Sequence, residues 1–114
     1  MNHIEEFENI NDPKIGDYVI SDFKFYNQEW KNYIDNKIGV VKRVRADGLH
    51  QYIITTYEIE NYIFENWSKK EKKCIKKING KNYIDMYFEL SEIKYLSSNK
   101  KDLEAILLAN KYNL

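Results

Sequence analysis

Two histidines, one cysteine and a run of lysines are the residues of this 114-residue chain best suited to chemistry. A histidine moves protons near neutral pH. Neither His3 nor His50, however, stands in a pattern with a serine, cysteine or aspartate, and the sequence holds no HExxH, glycine-rich phosphate loop or nucleophile elbow. No catalytic residue, metal-ligand set or cofactor is therefore assigned, and the chain reads as a non-enzyme. Cys74 lies among Lys72, Lys73, Lys76 and Lys77, cations of the kind that favour a thiolate. With no partner in sequence it reads as a thiol without a catalytic role.

The chemistry that remains is binding. Formal net charge is zero, but its distribution is uneven: residues 69 to 81 carry seven basic groups and one acidic group, against 7 and 12 in residues 1 to 68. Lys69, Lys70, Lys72, Lys73, Lys76, Lys77 and Lys81, with Arg43 and Arg45, could grip phosphates while Trp67, Tyr83 or Tyr87 stack on bases. Lysine on a hairpin has another use, which is to keep an edge strand from pairing with other chains. A second cluster is aromatic. Phe23, Phe25, Tyr26, Trp30 and Tyr33 fall within eleven positions of a polar stretch, Asp22 to Asn36, and aromatics on a long connection are typical contact residues for a protein partner. Phe25, Tyr26, Trp30 and Tyr33 are the candidates of choice. Such rings can equally close the open end of a small core.

The elements that must position these groups are mostly strands. Residues 37 to 59 hold two β-branched and aromatic runs around Ala46-Asp47-Gly48, which predicts a hairpin with three to five loop residues. Ile53, Thr55, Tyr57 and Ile59 share one face of its second strand and are expected inside. Lys14 to Ser21 reads as an earlier strand. Asn79-Gly80 predicts a second hairpin, between an extended 72 to 78 and the strand Asn82 to Leu90, whose Ile84, Met86, Phe88 and Leu90 alternate with Tyr83, Asp85, Tyr87 and Glu89. Trp30, Tyr33 and Ile34 have the spacing of a helical turn. Residues 60 to 68 read as a strand end or loop, and Ser91 to Leu96 as a turn or 3₁₀ segment. Ser97, Ser98 and Asn99 offer N-caps to a final helix with Leu103, Ile106 and Leu107 as its stripe.

One domain accommodates this length. Its parts are an arm or short helix over 1 to 13, a β-barrel over 14 to 96, and a packed helix over 97 to 114. A single cysteine excludes an intramolecular disulfide framework and favours a reducing compartment. No apolar run approaches the roughly 18 residues of a membrane span, and the acidic start lacks a signal pattern. A soluble, cytoplasmic protein with no membrane contact is expected.

The opening Lys14-Ile15-Gly16-Asp17-Tyr18-Val19, followed by the glycine-led Ile38-Gly39-Val40-Val41, resembles small SH3-like barrels, with residues 22 to 36 as a long first loop. The layout from that motif to the C-terminal helix also resembles small proteins of phages and other mobile elements. The first likeness implies a small antiparallel SH3-like barrel with a C-terminal α-helix. The second implies a compact module that binds a host or viral protein, and proteins of this kind include inhibitors of host or defence enzymes. Partner binding through the aromatic loop is the preferred reading. The alternatives are nucleic-acid binding by the lysine-rich hairpin and self-assembly of a structural protein through its sheet edges.

Overall fold

A computed structural model of the chain describes residues 4–6, 13–24, 28–47, 50–66 and 72–111. Seven strands, β1 (Ile4–Glu6), β2 (Tyr18–Ser21), β3 (Gly39–Asp47), β4 (His50–Ile59), β5 (Ile75–Ile78), β6 (Lys81–Glu89) and β7 (Ile93–Ser97), form one sheet. Their order is β1-β7-β2-β3-β4-β6-β5 and every pairing is antiparallel. Among the described residues three helices accompany them: α1 (Gln28–Asp35), α2 (Asn61–Glu65) and α3 (Lys100–Lys111). None of the described helices is long and apolar enough to cross a membrane.

The mainly β architecture with a C-terminal helix is as expected, but the sheet is open. β1 takes the outer edge of β7 and β5 takes the outer edge of β6. β1 and β5 are thus the two ends of the sheet, and no ladder joins them among the described residues, so no ring closes. Residues 4 to 6, expected in an arm or short helix, supply the first of these edge strands. The second unexpected strand is β7, which lies inside the sheet between β1 and β2, where a turn was expected. Only its first part fits that expectation, as Leu90–Glu92 form a 3₁₀ turn.

Local chemistry explains most of the elements. Lys14 to Asp17 is a turn rather than the start of β2. Gly16 has φ 94° and Asp17 donates its N–H to the Lys14 carbonyl at 3.0 Å, while Gly16 N–H to Val41 O and Val41 N–H to Asp17 O, both 2.8 Å, staple the turn to β3. Asn79 and Gly80, at φ 51° and 80°, make the two-residue connection that Asn-Gly favours because both positions need positive φ. The β3–β4 ladder runs as far as Asp47 opposite His50. Only positions 48 and 49, outside the described residues, lie between them, so Ala46 and Asp47 belong to a strand and not to a longer loop. Asn99 caps α3, accepting the Lys101 N–H at 2.9 Å. Residues 61 to 65 are helical, not extended, and Asn82, buried in β6, donates to Asn61 at 2.8 Å and docks that helix on the sheet.

One face of the sheet carries the core: Val19, Val41, Ile53, Tyr57, Ile59, Phe88, Ile93 and Leu96, joined by Phe23 and by Ile34 of α1. Phe88 is the hub, edge-on to Phe23 at 5.4 Å and to Tyr57 at 6.2 Å. The first position of β3 is glycine because a Cβ there would run into Thr55 Cγ2 and lie 2.7 Å from the Tyr57 ring. Burial of Ile34 contributes about 2 kcal/mol to holding α1 down. Trp30 and Tyr33 also pack against the core, and Asp35 adds polar ties: its carboxylate accepts Ser21 Oγ at 3.1 Å and the Phe23 N–H at 2.9 Å, and, within α1, Lys31 Nζ at 2.6 Å. Helix α3 packs on β7 and β2 with Leu103 fully buried.

Candidate functional site

Two surfaces carry the groups singled out in the sequence. The first is at the C-terminal end of α1. Phe25 and Tyr26 lie outside the described residues. Trp30 and Tyr33 are half-buried, stack on each other at 5.6 Å with 26° between their planes, and pack against the core. Their rings thus close one end of the core while their edges reach solvent. The Tyr33 hydroxyl is hydrogen-bonded to Glu60, whose carboxylate also pairs with Lys37 at 2.7 Å, and the Lys37 ammonium lies 5.1 Å from the centre of the Tyr33 ring. Beside this group is an open cleft of about 390 Å³ lined by Tyr33, Lys37, Ile38, Glu60, Lys100 and Leu107 among others. It holds two ammonium groups and one carboxylate, and Lys100 has no acidic partner among the described residues. Burial pushes the Lys37 pKa down and the Lys100 charge acts in the same direction, against an opposing pull from Glu58.

The second surface is the face of β3, β4, β6 and β5 turned away from the core. A β-bulge between Val41 and Arg43 makes it. With strict alternation Arg43 would follow Val41 onto the core face; the extra residue lets Lys42 and Arg43 both point outward and returns Val44 to the core side. Register then sets the rows. Arg43 and Tyr87 flank Ile54, Arg45 and Glu89 flank Tyr52, and Glu58 and Lys76 flank Tyr83. Tyr87 is 62% exposed, whereas Ile54, between it and Arg43, is 5% exposed. At the centre Asp85 accepts hydrogen bonds from Thr56 at 2.8 Å and from Lys42 and Lys76 at 3.0 Å each. Burial alone would raise the Asp85 pKa, but the bonds to Lys42, Thr56 and Lys76 outweigh it and hold the carboxyl at about 2.

The basic hairpin does not form one patch. Lys69 and Lys70 lie outside the described residues. Lys76 pairs with Asp85, and Lys81 lies 3.7 Å from Glu58. Lys77 is on the opposite side of β5 from Lys76, and Lys72 and Lys73 precede the strand. Arg43 and Arg45, which carry no acidic partner among the described residues, share the outer face with Lys76 and Lys81. Cys74 is exposed. Of the described residues, no group of three or more His, Cys, Asp or Glu is placed to hold a metal ion. Sequence reasoning missed Lys37, Glu60, Lys100 and Leu107, which meet only through the fold. It also missed Lys42 and Asp85, although two adjacent charges in an otherwise alternating strand are the mark of a bulge.

No family model matches the chain, and neither a curated protein nor a solved structure is significantly similar to it.

Proposed function

We propose that the chain is a non-catalytic binding module that holds a protein partner at the cleft between α1 and α3. The observation that carries this reading is the composition of that cleft: an excess ammonium group, Lys100, beside the apolar walls of Ile38 and Leu107 and the ring of Tyr33, on which Trp30 stacks from outside the lining. A partner segment that presents a carboxylate next to an apolar side chain complements it in charge and in apolar area. An SH3-like architecture is the finer fold reading. It is supported by the pairing of β2 with both β3 and β7, which makes the first and last strands of the region 14 to 97 neighbours, and by the long β2–β3 connection that contains α1. Among partner classes, the sequence's resemblance to small phage-type proteins suggests a host or defence enzyme that the module would inhibit.

Trp30 and Tyr33 pack on the core, so their removal tests stability as well as binding. Lys100→Glu with Leu107→Asp is the cleaner probe. Tagged wild-type protein and this variant are used in parallel affinity capture with nuclease, and the recovered protein is titrated calorimetrically. The variant should lose at least about tenfold in affinity, as expected when a charge pair is reversed at an interface; because Leu107 is half-buried, a dichroism melt should show the variant fully folded at the assay temperature. Equal capture by both proteins would refute the cleft as the site.

A further inference from the structure

We infer that the outer face of β3, β4, β6 and β5 is a binding surface for single-stranded nucleic acid, separate from the cleft. Four observations lead there. Tyr87 projects from the outer face of β6, beyond the stretch that pairs with β5, with most of its surface in solvent, although tyrosine is a large and partly apolar residue. Tyr83 stands on the same side of the same strand, four residues away, which at about 3.4 Å per residue separates their Cα atoms by roughly 14 Å. Around them are Lys42, Arg43, Arg45, Lys76 and Lys81 against Glu58, Asp85 and Glu89, an excess of positive charge on a chain whose formal net charge is zero. The central acid, Asp85, is covered by two ammonium groups, so it presents no bare carboxylate to a phosphate.

An open sheet face with one exposed ring, a second half-buried one and flanking cations suits bases that can splay out and stack, while the backbone lies along the arginines. A paired duplex keeps its bases stacked inside and could use only the cations. The commitment is therefore to single strands. Lysine and arginine placed this way follow the backbone and read little sequence.

The test is fluorescence anisotropy with a labelled 20-nucleotide mixed-sequence DNA, the same sequence as RNA, its duplex, and polyglutamate as an acidic polymer without bases. Wild-type protein should bind one or both single strands more tightly than the duplex or polyglutamate. Tyr87→Ala should weaken binding about tenfold. Arg43→Ala with Arg45→Ala should flatten the dependence of log K on log salt by about 1.4, or about 0.7 for each phosphate that is no longer neutralised. Circular dichroism melts confirm that these exposed substitutions leave the fold intact. Lys100→Glu with Leu107→Asp, the cleft variant, should bind the oligonucleotide as wild type does. No binding at low salt, binding indifferent to Tyr87 and to the two arginines, or equal affinity for duplex or polyglutamate would overturn the proposal. Equal affinity for polyglutamate would make the face a docking surface for acidic proteins.

Discussion

Replacing Asp35 with alanine should cost about 3 kcal/mol of stability, because that one carboxylate ties α1 to the sheet. Its Oδ1 accepts from the buried Ser21 hydroxyl and from the Phe23 N–H, and its Oδ2 from Lys31. A hydrogen bond to a charged acceptor contributes roughly 1.5–3 kcal/mol when its donor would otherwise be left unpaired in the interior. Ser21 is 2% exposed and so cannot turn to water. Two such bonds at the lower bound give about 3 kcal/mol, and the Lys31 ion pair, with both side chains partly in solvent, adds a few tenths at most. At a urea slope of about 1.5 kcal/mol per molar, the midpoint should fall by about 2 M. Asp35→Asn keeps an acceptor for Ser21 and Phe23 and should lose only about 1 kcal/mol. Urea titrations of the three proteins, followed by tyrosine and tryptophan fluorescence and by far-ultraviolet dichroism, decide the matter. A loss below about 1 kcal/mol for alanine, or equal losses for alanine and asparagine, would refute the assignment of Asp35 as the anchor of α1.

Gly39→Ala should destabilise by about 3 kcal/mol and lower the melting temperature by about 10 °C, since its Cβ would crowd Thr55 Cγ2 and lie 2.7 Å from the Tyr57 ring; Thr55→Ser should restore part of the loss, and a melt within about 3 °C of wild type would count against this packing. For Asp85 the folded carboxyl, at about 2, lies below its usual 3.8. Its ionised form therefore stabilises the fold fully above the usual value, and that contribution is lost as pH falls through about 2. The gap corresponds to at most about 2 kcal/mol, which the partly solvated Lys42 and Lys76 reduce to about 1. Stability curves of wild type and Asp85→Asn should accordingly converge between about pH 5 and pH 2, and parallel curves across that range would contradict the hydrogen-bond arrangement.

By itself the sequence determined what nearest neighbours decide. Asn79-Gly80 makes its hairpin because only the backbone of two residues has to enter positive φ. Asn99 caps α3 through a hydrogen bond two residues long. The strict alternation of β6, and of Ile53, Thr55, Tyr57 and Ile59 in β4, names the inward face wherever that face lies. Trp30, Tyr33 and Ile34 give α1 by the same logic.

What the tertiary structure decided is everything that depends on a distant partner. Ile93–Ser97 is a strand because β2, more than seventy positions earlier, and β1 supply ladders on its two sides; alone it is five residues after a 3₁₀ turn and carries no hairpin signal. The cleft joins positions 33 to 38, 60, 100 and 107, and the outer face joins Arg43 to Tyr87 across Ile54 through a bulge that two adjacent charges only hint at. Whether the sheet closed was likewise open until the pairings left β1 and β5 as its two ends, with no ladder between them among the described residues. Backbone propensity acts over a few residues, whereas register and edge pairing are set by which arrangement buries the most apolar surface with every ladder satisfied. That comparison is made over the whole chain at once.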